Sequence, residues 1–210
     1  MPRTQRFSSA SARRAACSGF SMLELVVVVV IIAVLAAIAI PSIITTLRAY
    51  QVTSAAAQVA DNIKFARSEA IRLNVPTTQP AQFLAVPSGS SWVVGADAGG
   101  VGSLSSADRQ YELSGNVTFL PQGSVATAGN LASAIGVVSL TTLSASSSAQ
   151  AIKFDARGAV SYGANPVAVY VFYVGPVSQS SEDYRAVVVL PSGITQLWAG
   201  NSSSSWHQIG

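Results

Sequence analysis

The sequence has few charged residues and few of the side chains that usually bind metals. Charged residues make up 10% of the 210 positions, and there is one histidine and one cysteine. A metal centre needs several His, Cys or acidic ligands that converge, and no such cluster occurs. Cys17 has no second cysteine with which to form an intrachain disulfide, and we expect no role for it. Apolar residues make up 50%, which is typical of a chain with a membrane segment.

Motifs of enzymes and of nucleotide-binding proteins are also missing. His207 lies in a Ser-rich tail, which is a poor place for a catalytic imidazole that must be held rigidly. The stretch Asp97-Ala98-Gly99-Gly100 lacks the carboxylate spacing of a calcium loop, and no Gly-x-x-x-x-Gly-Lys phosphate loop occurs. We therefore expect no enzymatic activity, no cofactor and no bound metal.

The net charge of +3 suggests a nucleic-acid partner, but its distribution does not. Four of the 12 basic residues lie within residues 1–19, which leaves eight against nine acidic residues, a net charge of −1. No Lys or Arg follows Arg185, so attraction to phosphates has little to act through at the C-terminal end. The basic character belongs to a leader, and no nucleic-acid partner is expected.

A long apolar run follows this leader. From Phe20 to Ile40 the 21 residues include two polar ones, Ser21 and Glu24. A helix of this length spans roughly 30 Å, the thickness of a bilayer's hydrocarbon core. The β-branched run 26–32 would favour a strand in water, but in lipid the backbone must satisfy its own hydrogen bonds, so we predict a helix. The preceding arginines place the N-terminus in the cytoplasm.

Glu24 is unusual in such a segment. An ionised side chain in lipid costs roughly 2.5–3.5 kcal/mol, and no Lys or Arg lies between residues 15 and 47 to pair with it. A cut after Gly19 would create a positive amine on Phe20, which could neutralise the Glu24 carboxylate of a neighbouring subunit in a polymer. The alternative is a glutamate close enough to the interface to stay hydrated. The chemistry alone leaves both open.

The stretch Gly19-Phe20-Ser21-Met22-Leu23-Glu24-Leu25 resembles the type IV prepilin processing motif. The resemblance implies that a membrane peptidase cuts between Gly19 and Phe20 and methylates the new N-terminal Phe20, and that Glu24 acts in assembly. Pro41 falls where such proteins often have a helix-bending proline. Because proline removes a backbone donor and crowds the preceding turn, a bend or local melting is expected there.

A helical pattern resumes after Pro41. Apolar residues recur at steps of three and four, which predicts one stripe on a helix that ends at Asn74-Val75-Pro76. The stripe consists of Val52, Ala56, Val59, Ile63, Ala66, Ala70 and Leu73. Within it, residues 66–72 (Ala-Arg-Ser-Glu-Ala-Ile-Arg) resemble a signature of the GspH/FimT family of minor pilins and pseudopilins. We predict that Arg67 and Glu69 are solvated surface residues.

Beyond Pro76 the composition shifts to Ser, Gly, Thr and Val, with short β-like runs between turn residues. The predicted strands are Gln82–Val86, Ser91–Ala96, Asn116–Leu120, Ile135–Leu143, Ala151–Asp155, Val167–Val174, Tyr184–Leu190 and Ile194–Trp198. Val167–Val174 is nearly all apolar and is predicted to be central. Lys153 to Gly158 resembles a hairpin that recurs in heads of this family, with Asp155 and Arg157 shaping its turn.

These patterns predict an α+β fold, and the resemblance implies that it is pilin-like, with a long N-terminal helix that packs on an antiparallel β-sheet head. The predicted organisation is a cleaved leader (1–19), a transmembrane and polymerisation helix (20–44), an amphipathic half of the same helix (45–74), and a β-rich extracytoplasmic head (75–210). We expect a single-pass inner-membrane protein with a periplasmic head, which later enters a pilus or pseudopilus.

The resemblance implies a structural minor pilin or pseudopilin of a type IV pilus or a type II secretion system. Its implied partners are the prepilin peptidase, other pilins, and the inner-membrane assembly platform. The FimT-like stretch at residues 66–71 favours the pilus. The alternative is a fibre-tip binding module, such as a DNA or surface receptor. Some FimT-type proteins are implicated in DNA uptake through Gly-Arg-x-Arg, but Gly193-Ile194-Thr195-Gln196 lacks both arginines.

Overall fold

The computed structural model describes residues 21–76, 78–125, 128–143, 149–161, 168–178, 184–200 and 205–210. The predicted leader, Cys17 and the Gly19–Phe20 junction lie outside these residues. The chain divides into two compact units, Met1–Ile43 and Ile44–Gly210.

Two helices and eleven strands are assigned within the described residues. The helices are α1 (Met22–Leu73) and α2 (Ala128–Ile135), and a short 3₁₀ turn spans Gln122–Ser124. The strands are β1 (Ala81–Ser88), β2 (Ser91–Asp97), β3 (Arg109–Glu112), β4 (Val117–Leu120), β5 (Thr141–Thr142), β6 (Gln150–Phe154), β7 (Val160–Ser161), β8 (Tyr170–Pro176), β9 (Tyr184–Val189), β10 (Thr195–Gly200) and β11 (Trp206–Gln208).

Helix α1 has 52 residues and ends where the sequence predicts. Asn74 adopts a positive φ of 48°. The Val75 N–H donates to the Ala70 carbonyl and the Asn74 N–H donates to that of Ile71, both at 3.2 Å. This pattern is the Schellman motif, which satisfies carbonyls left over at a helix C-terminus. Pro76 then prevents the helix from continuing.

Pro41 lies inside α1, and the helix assignment continues through it. The local melting that we considered for this position is therefore not observed. The bend remains a prediction for Pro41.

The strands of the second unit form two sheets. The first has the order β3-β2-β1-β6-β7, and the second has the order β11-β10-β9-β8-β4. Neighbours in both orders are antiparallel, and β5 adds one short parallel pairing to β8, with Thr141 opposite Tyr170. The α+β, pilin-like fold class is confirmed, and the division of the head into two sheets was not predicted.

The main core of the second unit lies between the two sheets and the later part of α1. Six of the seven stripe residues are buried, but Leu73 is 45% exposed because it lies in the last turn before the Schellman motif. Five alanines of α1 line this core. They are Ala55, Ala56, Ala60, Ala66 and Ala70. Phe172 of β8 packs edge-on against Phe83 of β1, with ring centroids 5.4 Å apart.

A second core lies on the other face of the second sheet. It contains Val171 and Tyr173 of β8 and Leu131 of α2. Trp206 of β11 packs against Tyr173 and Tyr184, with ring centroids 6.0 and 5.7 Å apart. Strand β8 is buried on both faces, which confirms the prediction of a central strand.

Seven of the eight predicted strands are confirmed, with ends that shift by up to a few residues. The prediction for Ile135–Leu143 is wrong, because Ile135 ends α2 and β5 covers two of these residues. Short apolar runs do not distinguish helix from strand, and the signal for α2 is only two turns long. His207, which the sequence places in a Ser-rich tail, is in β11 opposite Ala199.

Candidate functional site: the N-terminal segment of helix α1

The N-terminal part of α1 is apolar and almost entirely exposed. Large apolar side chains from Met22 to Leu47 are 44–86% exposed. No part of the most apolar stretch of α1 is buried inside the chain, and α1 is long and apolar enough to cross a membrane. A continuous apolar surface of this size is unfavourable in water. The segment therefore requires a bilayer or other apolar chains around it.

Glu24 lies in the first turn of α1 and is exposed. The N–H of Leu25 donates to the Ser21 carbonyl at 3.1 Å, which fixes the start of the helix. A carboxylate in this position interacts favourably with the free N–H groups and the positive end of the helix dipole. Glu24 is also the one charged residue between positions 21 and 47. An acid is thus presented at the beginning of an otherwise apolar cylinder.

Two family models match the chain. That of the type II transport protein GspH matches residues 55–193, and that of the prokaryotic N-terminal methylation motif matches residues 14–40. The chain belongs to the GspH family. A search of curated proteins and a search of solved structures found no match.

The recognition made from residues 19–25 and 66–72 is confirmed by these two matches. This GspH family member is a pilin- or pseudopilin-type subunit of a type II secretion or pilus system. Its family consists of structural subunits, and its apolar helix and methylation motif fit a single-pass inner-membrane protein. The match to the motif covers Gly19, Phe20 and Glu24, but it tests none of their individual roles.

In the head of this GspH family member, Arg67 has a structural role, so the prediction of a solvated Arg67 is wrong. Its side chain is half-buried, and Nε donates to the Gly158 carbonyl at 2.9 Å, from α1 to the turn between β6 and β7. Gly193, in the turn between β9 and β10, lies against both groups. A Cβ on Gly193 would come 2.0 Å from the Gly158 oxygen and 2.7 Å from Arg67 Nε. Three separate chain segments therefore meet at Arg67.

The neighbouring Glu69 is also engaged. Its carboxylate accepts a hydrogen bond from Arg72 at 2.6 Å, and this bond lowers the pKa of Glu69. The pair is one helical turn apart and contributes little to stability because the Arg72 side chain is largely exposed. The Glu69 side chain is 13% exposed, so the prediction of a solvated Glu69 is wrong, although its partner Arg72 lies at the surface.

Asp155 shapes its turn as predicted. Its Oδ1 accepts hydrogen bonds from the N–H groups of Arg157 and Ala159, both at 2.9 Å. Gly158 has a φ of 76°, which favours glycine. The turn therefore has the correct backbone geometry to present the Gly158 carbonyl to Arg67.

Other polar groups of the head form local contacts. Asp97 is buried, and its Oδ2 accepts hydrogen bonds from Gln82 Nε2 at 2.8 Å and from the Gly102 N–H at 2.7 Å. His207 is exposed on β11. Within the described ranges, no three His, Cys, Asp or Glu residues are grouped so that they could hold a metal ion.

Proposed function

We propose that this protein is a minor pilin or pseudopilin that is cut between Gly19 and Phe20 and methylated on Phe20. It is stored in the inner membrane and then assembled into a type IV pilus or a type II secretion pseudopilus. In the fibre, the terminal amine of Phe20 pairs with Glu24 of a neighbouring subunit. The partners are the prepilin peptidase, other pilins or pseudopilins, and the inner-membrane assembly platform.

One observation carries this proposal: the exposed apolar part of α1 has a single charge, placed in its first turn. In a simple membrane anchor a carboxylate has no role, and it lowers the stability of the inserted state. In a helix that polymerises the carboxylate has a role, because it can form an ion pair with the cationic terminus of the next subunit. The same apolar surface can be covered by lipid during storage and by neighbouring helices in the fibre.

The orientation is inferred from charge. Four arginines precede the apolar segment, and Arg48 is the first cation after it. The positive-inside rule then places the N-terminus in the cytoplasm and the head in the periplasm. Between the two machines we favour the pilus, on the FimT-like stretch at residues 66–71.

The test is the mass of the mature chain in the membrane fraction. We expect a chain that begins at N-methyl-Phe20, because the cut must leave the cationic amine four residues before Glu24. Gly19→Leu should block processing, and Ser18→Leu, one residue earlier, is the matched control. An intact leader, or a cut near Ala39 as for a conventional signal peptide, would contradict the proposal.

A further inference from the structure

A pocket of about 370 Å³ lies in the second unit where α1 meets the start of β4 and the end of β8. Arg48 and Gln51 of α1 line one side, and Asn116 and Ser178 line the other. Val177, which is 50% exposed, contributes apolar surface at its rim. Among the described residues the lining has one cation and no carboxylate. The pocket therefore has the polarity of an anion site with an apolar edge.

The Arg48 side chain is exposed, and no ion pair or hydrogen bond of its guanidinium is found among the described residues. A guanidinium has five N–H donors in a planar fork that matches two oxygens of a phosphate. Gln51 and Asn116 add amide N–H donors to the same pocket. These groups are hydrogen-bond donors of the kind that bind a phosphate.

The residues around Arg48 bear on the source of a phosphate ligand. Ile44 and Leu47, within the turn before Arg48, are exposed apolar residues, and Tyr50, two residues later, is 71% exposed. Exposed aliphatic residues followed by an arginine and a tyrosine are typical of the level where a membrane helix leaves the hydrocarbon and enters the headgroup layer. This position favours the phosphate of a phospholipid headgroup as the ligand.

A second pocket, of about 290 Å³, shares Gln51 and is lined by Tyr50 and Glu112. The Glu112 Oε1 accepts a hydrogen bond from Ser91 Oγ at 2.5 Å. An anion would be repelled by this carboxylate, so the two pockets are not equivalent. The charges direct a phosphate to the Arg48 pocket.

We propose that the Arg48 pocket binds the phosphate of a phospholipid headgroup of the periplasmic leaflet while the subunit is stored in the membrane. This inference rests on the membrane-inserted state of the proposed function. The Arg48 guanidinium and the amides of Gln51 and Asn116 hold the phosphate oxygens, and Val177 contacts the lipid at the rim. Extraction of the subunit into a fibre would then have to break this contact.

The test uses the full mature chain in a non-ionic detergent, titrated with dihexanoyl phosphatidylglycerol. Arg48→Gln should weaken binding about tenfold, because a hydrogen bond from a charged donor is lost. Arg48→Lys, which keeps the charge but not the fork, should weaken it less. Arg157→Gln is the matched control, since this exposed arginine lies in the turn between β6 and β7. We expect it to change affinity less than twofold.

Several outcomes would overturn the inference. Equal losses in Arg48→Gln and Arg157→Gln would indicate non-specific attraction, and no loss in Arg48→Gln would exclude the pocket. Inorganic phosphate that binds as tightly as the lipid would make this a site for a free anion. Lipid binding that is displaced as protein concentration rises would assign the pocket to a second copy of the chain.

A flotation assay with phosphatidylglycerol vesicles separates this inference from the proposed function. A chain that does not float with vesicles would contradict the membrane-inserted state itself. A chain that floats, but whose headgroup affinity is insensitive to Arg48→Gln, would contradict only the headgroup site.

Discussion

Helix α1 contains two regions that differ in composition and in burial. In the apolar half (Met22–Ile43), the large side chains are exposed. In the head half (Ile44–Leu73), nine residues are buried, and alanine is the commonest of them. Bulky β-branched residues dominate the first region, and small residues line the buried face of the second.

This difference shows how one helix can serve two environments. Large aliphatic side chains suit lipid and helix–helix contacts, where a broad apolar surface is needed on every side. Small alanine side chains suit the buried face of a helix that packs against the side chains of a sheet. The head half therefore contributes to a packed core, whereas the apolar half is available to lipid or to neighbouring subunits.

The largest effect is expected for Glu24→Gln. The change keeps size and polarity but removes the charge, so membrane insertion should persist or improve slightly. Incorporation into the fibre should be lost, because the neighbour's terminal amine would enter an apolar environment unpaired. The measurement compares the variant in membranes and in sheared fibres of a strain without the wild-type copy. Normal incorporation would identify Glu24 as a hydrated interfacial residue instead.

The next largest effect is expected when the same substitution, isoleucine to alanine, is made in each half of α1. Ile63 is fully buried, and Ile63→Ala should lower the free energy of unfolding of the head by about 2–5 kcal/mol. Ile32 is 59% exposed, and Ile32→Ala should leave the head's stability unchanged. Denaturant unfolding of both variants in the same detergent measures the difference. Equal losses would mean that the apolar half also supports the core of the head.

A smaller effect is expected at Arg67. Arg67→Met keeps most of the aliphatic volume but removes the donor to the Gly158 carbonyl, so unfolding should become easier by about 1–3 kcal/mol. Arg72→Met removes a cation one and a half turns later, where the side chain contacts only Glu69 among the bonds described, and should change little. If both variants behaved alike, Arg67 would be an ordinary surface residue.

Much of this fold was predictable because the signals were local and long. Residues 20–40 predict a membrane helix from length alone, and the stripe from Val52 to Ala70 predicts the buried face from spacing. Strand β8 was predictable because both of its faces are apolar. The termination at Asn74 follows from local backbone chemistry, since asparagine tolerates a positive φ and Pro76 stops the helix.

The parts that were not predicted depend on tertiary contacts. All four residues of β3 are exposed, so the strand has no alternation of buried and exposed residues and exists through its pairing with β2. Strand β11 likewise pairs with β10 at the C-terminal end. The sequence predicts a solvated Arg67 because its partner, Gly158, lies 91 residues away in the sequence. No local sequence pattern indicates such a contact, although a glycine in a predicted turn is a weak signal that another chain segment approaches closely.

The smallest effect on the stability of the head is expected for a change at Tyr173, and it would be visible only at alkaline pH. Burial raises the pKa of Tyr173 to about 12, above its ordinary value of about 10. Because the folded state holds the phenol proton more tightly than the unfolded state, this stabilisation is complete below about pH 10 and is lost as the pH rises towards 12. Tyr173→Phe should remove that part of the loss of stability at alkaline pH. The matched control is Tyr111→Phe, because Tyr111 is 42% exposed. Stability between pH 8 and 12, relative to each variant's value at pH 8, measures the effect, and tyrosinate absorbance follows the titration. If the wild type and Tyr173→Phe lost stability in parallel over this range, the core around β8 would not exclude water from the phenol.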